Sequence, residues 1–275
     1  MKGTSALRTA LLSLLQASLS TQLYIPDHGN LGAPAHYPTR TIANVTVVDT
    51  ELVQKALVFG RNHSNDVVWN HVMRGWLYGT LILAHNETLR RAVDAEAHAL
   101  AAILHDLGWD QTPGSTTVSA DKRFEVDGAM AACDFIRNNH APSSSSSHRP
   151  PNRDSDGDGG WDDHRLQLVW DSIALHTQPS IFPYKEDTVA VTGWGIYMDF
   201  VGPFAGVTGP EYDAVAAAYP RTLFEEGVNA TFVWLCETKP STTWDTFMQV
   251  WGDNYVANYS AKGQRVFDII ANVTR

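Results

Sequence analysis

His105 and Asp106 stand side by side at the end of an apolar helical pattern that covers residues 95–107 and stops at Gly108. Neighbouring residues on an α-helix point about 100° apart. An imidazole and a carboxylate placed this way can share one cation only from the same edge of their helix, so other helices must complete the shell. The chain offers them. His71 lies about one helix and a loop upstream, and Asp199 lies downstream in 189–201, a stretch otherwise nearly free of charge. Burying an ionised carboxylate without compensation costs several kcal/mol at least. No basic side chain is near Asp199 in sequence, so either a metal cation or an Arg brought in by tertiary contact must resolve that cost.

The periodicity around these residues is helical. Leu52, Ala56 and Phe59 share a face with Gly60 as a stop, Asp66 can cap the next helix, and His71, Arg74 and Tyr78 recur on one stripe at i, i+3 and i+7. A central helical region covers 89–107. Further helical patterning covers 125–137, 166–177, 189–200, 211–219, 222–237 and 244–254, and no alternating strand pattern extends beyond a few residues. The chain therefore reads as all-α. At 275 residues with 44% hydrophobic content, it holds one large domain or two small ones, and ligands spread from 71 to 199 that must converge favour one. Residues 21–50, rich in Pro and Gly, read as an extended lead-in to a domain at 51–275. A Ser-, Pro- and Asp-rich low-complexity insertion interrupts that domain at 141–163.

Three separated motifs, His71, then His105-Asp106, then Asp199, reproduce in order the ligand pattern of the HD-domain superfamily of metal-dependent hydrolases, which this chain resembles. Asn70-His71-Val72-Met73-Arg74-Gly75-Trp76-Leu77-Tyr78-Gly79 is similar to the opening helix of the fungal cyanamide hydratase-like branch. Residues 123–129, 173–177 and 195–202 continue the likeness, which covers roughly 51 to 271. The resemblance implies a single HD-domain helical bundle with a metal site between helices. It also implies His71, His105, Asp106 and Asp199 as metal ligands and His176 as a pocket histidine. The insertion and the N-terminus depart from the pattern of that branch.

Two histidines and two carboxylates suit one divalent first-row ion, zinc foremost, with iron and manganese compatible. The expected activity is a hydrolase or hydratase that acts on a small molecule through a metal-activated water. In that reading Asp106 or His176 takes the proton, Arg74 stabilises charge on the substrate, and Tyr78 and Glu125 contact it. A nucleotide phosphohydrolase and a non-catalytic helical scaffold are the competing readings. Phosphate chemistry has only Arg74, Lys122 and Arg123 to draw on near these motifs. His98, two turns before His105, is either an outer partner of the site or an exposed residue, and Trp76 and Trp109 are candidates to wall an apolar pocket.

The net charge of -10 and the lack of any Lys/Arg block exclude a phosphate-backbone partner, so no nucleic acid is expected. Residues 1–20 read as a basic n-region and short apolar h-region of a signal peptide, too short and interrupted to span a bilayer. Glycosylation sequons begin at Asn44, Asn62, Asn86, Asn229, Asn258 and Asn272, where chance gives about two. They favour passage through the secretory pathway, with a cytoplasmic location as the alternative. Cys133 and Cys236 sit in apolar helical patterns, which favours two small buried thiols over a disulfide. Asp154, Asp156 and Asp158 resemble half a calcium loop, but Arg165 stands where that loop requires a Glu.

Overall fold

The computed structural model describes residues 37–140 and 160–273. The signal-peptide reading at 1–20, the first part of the lead-in and most of the insertion, with its calcium-like aspartates, lie outside the described residues. Among these, a short hairpin precedes eleven α-helices. Strand β1 (Thr39–Ile42) pairs antiparallel with β2 (Val45–Val48), with Thr39 opposite Val48. The lead-in thus ends in a strand pair that the sequence reading did not expect. Val45 and Val47 alternate with exposed neighbours and plug into the core, a pattern only four residues long.

The helices are α1 (Glu51–Asn62), α2 (Asp66–His85), α3 (Glu87–Ala92), α4 (Ala95–Leu104) and α5 (Phe124–Asn139). After the insertion come α6 (Asp163–Leu175), α7 (Asp187–Val201), α8 (Gly209–Ala218), α9 (Phe224–Thr238), α10 (Gln249–Tyr255) and α11 (Val266–Asn272). Local chemistry sets their starts. Thr50, Asn65, Asn86, Asp94 and Asp162 each accept a hydrogen bond from a first-turn amide, which satisfies an otherwise orphaned donor. Asn65, rather than the expected Asp66, caps α2, and α1 continues past Gly60. The expected 89–107 helix is broken at Val93 and Asp94, because Asp94 turns its carboxylate onto the Ala97 amide and restarts the helix as α4.

Helices α2 and α7 form the central pair, α4 packs on both of them, and α6 packs on α4 and α7. Every residue of α4 from Glu96 to Leu104 is buried, as expected of a helix that is apolar all round. Close approach of α7 to α2 depends on Gly195. A Cβ there would stand 2.6 Å from both the Gly75 carbonyl and the Gly79 amide. Gly108 has a similar role and is not a left-handed helix cap. Its missing Cβ would lie 2.1 Å from the carbonyl oxygen of Phe124, so it lets the start of α5 seat against the turn that carries His105 and Asp106.

Cys133 and Cys236 are free and buried, each directed at a backbone carbonyl. Asn44, Asn62, Asn229, Asn258 and Asn272 are exposed, while Asn86 is half-buried. No helix among the described residues is long and apolar enough to cross a membrane. Gly195→Ala should lower unfolding free energy by about 1–3 kcal/mol through overpacking at the α2–α7 contact. Gly209→Ala, whose new Cβ meets nothing within 4 Å, should stay near wild type in the same urea titration.

Candidate metal centre

Asn65 starts α2 so that His71, Arg74 and Tyr78 fall on its buried stripe, each at most 1% exposed. Helix α4 ends at Leu104, one residue before the His-Asp pair. His105 keeps helical dihedrals as the C-cap, whereas Asp106 (φ -101°, ψ 20°) has already left the helix and opens a 3-10 turn at Leu107–Trp109. The two side chains therefore converge because the backbone changes course between them, not because they share one edge of a helix. His105 Nε2 lies 3.1 Å from Asp106 Oδ2, and His71 Nε2 is 3.3 Å from His105 Nε2 and 3.7 Å from Asp106 Oδ2. His71, His105 and Asp106 form a buried group able to hold one metal ion.

The far sides of both rings decide what the near sides offer. Nδ1 of His71 donates to Asp199 Oδ2 at 2.7 Å, and Nδ1 of His105 donates to the Ala102 carbonyl at 2.9 Å. In the neutral tautomers those bonds impose, two Nε2 lone pairs face each other, an arrangement that repels unless positive charge sits between them. Asp106 adds to the demand. Its side chain is wholly buried, and neither oxygen receives a hydrogen bond among the described residues. Burial alone would raise its pKa, but His105, His71 and His176 outweigh burial and hold the carboxyl below its usual range. Burial likewise depresses His105, but Asp106, helped by the Ala102 carbonyl and Asp199, raises it above its ordinary value, so the cluster attracts positive charge. Two imidazole nitrogens and one partnerless carboxylate fit a divalent cation, with the outer bonds fixing ring orientation.

Asp199, expected as the fourth ligand, is placed differently. It sits behind His71, on the ring nitrogen that faces away from His105 and Asp106. Arg74 grips it in a bidentate pair, Nε to Oδ1 at 2.7 Å and Nη2 to Oδ2 at 2.8 Å, and Arg221 Nη2 adds a further bond to Oδ1. Burial raises the Asp199 carboxyl, yet the hydrogen bonds from His71 and Arg74 bring it down to about 2. The lone carboxylate of α7 is thus compensated by arginine. Arg74 spends its remaining nitrogen on the Tyr219 and Pro220 carbonyls, and the fully buried side chain lines no part of the cavity beside His71. Its expected catalytic role becomes a positioning one.

His176 follows α6 as its C-cap, donates Nδ1 to the Ile173 carbonyl at 2.7 Å and brings Nε2 to 3.9 Å from Asp106 Oδ1. Burial, with His105 adding to it, pushes its pKa down to about 4. A cavity of about 370 Å³ opens onto His71 and His176, walled by Trp109, Phe124, Ile196, Phe200, Phe232 and Phe247. Tyr78 and Glu125, expected to contact substrate, line no part of it. Tyr78 is fully buried and stacks on Tyr212, and Glu125 is committed to Arg123 and to the Thr177 hydroxyl, which it accepts at 2.7 Å. Trp76 is buried away from the cavity, and His98 lies in the core with Nδ1 on Thr192 Oγ1. Arg221, Phe232 and Phe247 were invisible to sequence reasoning, since they come from a loop and from C-terminal segments without a chemical motif.

No protein-family model matches the chain, and no curated protein matches it. His105→Ala should abolish stoichiometric metal in elemental analysis of the purified protein. Asp199→Asn should weaken affinity by about 10–100-fold, as expected for an outer partner of a ligating histidine. Loss as complete as in His105→Ala would instead make Asp199 a ligand.

Proposed function

We propose that this protein is a metal-dependent hydrolase or hydratase of the HD-domain type that acts on a small molecule. The observation that carries the reading is the Asp106 carboxylate, buried without a hydrogen bond beside two inward-facing imidazole nitrogens and next to an aromatic cavity. His71, His105 and Asp106 would hold the ion, zinc foremost, with iron or manganese compatible. Three protein ligands leave a position open, the pattern of catalytic rather than structural zinc. When bound, such a cation lowers the pKa of water toward neutrality and polarises an electrophile.

The remaining steps belong to the chain itself. Asp199, clamped by Arg74 and Arg221, fixes the tautomer of His71 and holds its Nε2 toward the site. His176 presents an uncommitted Nε2 lone pair close to Asp106 and is the general base. The aromatic walls place apolar surface beside His71 and His176, which lowers the local dielectric and strengthens electrostatic contacts there. A nucleotide phosphohydrolase is disfavoured because, among the described residues, no Lys or Arg lines the cavity. Arg74 is spent on Asp199, Arg123 pairs with Glu125, and Lys122 pairs with Asp121. The exposed sequons support a secretory route.

Chelation should abolish turnover of a nitrile and amide panel, and zinc should restore it. His176→Ala should retain metal while losing about 10²–10⁴-fold in kcat. Phosphate release from nucleotides with no turnover of the panel would overturn the proposal, and a metal-free purified protein would favour the scaffold.

A further inference from the structure

The cavity beside the metal centre also constrains what can enter it. Its volume of about 370 Å³ equals roughly a dozen water volumes at about 30 Å³ each. That is far more room than a cyanamide-sized molecule needs and falls within the span of pockets that enclose organic ligands. The aromatic side chains are in mutual contact. Trp109 meets Phe124 at 5.4 Å and Phe232 at 5.5 Å between centroids, and Phe232 meets Phe247 at 5.3 Å. Helix α7 contributes Ile196 and Phe200.

Charge is lacking there. Among the described residues no Lys, Arg, Asp or Glu lines the space, so away from the proposed cation an ionised ligand would find no side-chain charge to pair with. The polar groups are few: His71, His176 and Thr177 give the lining a polar side at the candidate metal centre, and helix α7 adds the Tyr197 phenol. A ligand that fills this shape needs an apolar ring body and one compact polar head. Ring stacking rewards a flat body, and the head would face the imidazoles.

We infer that the cavity takes an uncharged, flat aromatic molecule of about a dozen non-hydrogen atoms, with a nitrile- or amide-like group directed at His71 and His176. This assignment deepens the hydrolase reading and rests on it for its chemical sense, while the binding it requires can be measured without turnover.

Calorimetric titration with 1-naphthonitrile, cyanamide and AMP tests it, on the metal-loaded protein and on His105→Ala. Naphthonitrile should bind at least about tenfold more tightly than either other probe, and its binding should persist in His105→Ala. Phe247→Ala should weaken it by about tenfold. Phe247 is 36% exposed, and an unchanged urea unfolding midpoint in Phe247→Ala separates lost binding from lost fold. Tighter binding of AMP or cyanamide, or unchanged naphthonitrile affinity in Phe247→Ala, overturns the inference. Naphthonitrile binding without metal-dependent turnover of any nitrile or amide would sink the hydrolase reading and leave the ligand class standing. Metal-dependent turnover of cyanamide without naphthonitrile binding would do the reverse.

Discussion

An ionised carboxylate inside a helical core must be met by donors or by a cation, and two aspartates of this chain meet that demand in opposite ways. Asp199 is saturated. Arg74 approaches it from α2, Arg221 from the loop before α9, and His71 donates a ring proton. Asp106 has, among the described residues, neither a hydrogen bond nor an arginine, only imidazoles. Breaking a buried pair by removing one partner typically costs about 3–5 kcal/mol. The Asp199 clamp therefore locks α2, α7 and the α8–α9 loop into one arrangement, and it leaves Asp106 as the place where positive charge is still wanted.

One helical stripe links the clamp to the centre. His71 and Arg74 are three residues apart on α2, and both reach Asp199, so the residue that orients the imidazole is held by the next turn of the same helix. The ring passes this order to its other nitrogen, which faces His105 and Asp106. Positioning across α2 and α7 in turn requires the side-chain-free surface at Gly195, and seating of α5 on the His-Asp turn requires Gly108. Packing and chemistry are thus one problem here. A methyl group at either glycine would displace the elements that aim His71, His105 and Asp106.

Much of this could be read from the residues. Helical periodicity identified most of the helices, and the cost of a lone carboxylate in 189–201 flagged Asp199 with two resolutions, a metal or an arginine. The structure chose arginine. Tyr78 looked available for substrate because it shares the stripe of His71, yet that stripe is wider than the cavity and its far end stacks on Tyr212. Glu125 looked free because it follows the central helix that ends in the His-Asp pair, yet Thr177 and Arg123 close on it. The hairpin escaped notice because two alternating valines are too short a pattern to separate from a loop.

The sequence by itself determined that the chain would be helical, and its resemblance to the HD-domain superfamily grouped His71, His105 and Asp106 together with Asp199, since a buried carboxylate in an apolar helix demands a partner without saying which. Tertiary structure alone decided which nitrogen of each ring faced inward, which carboxylate met arginine, and which aromatic residues walled the cavity. Those outcomes depend on side-chain direction at contacts between residues as far apart as 71 and 199 or 109 and 232. Local periodicity fixes the face a residue occupies, but only packing fixes what that face meets.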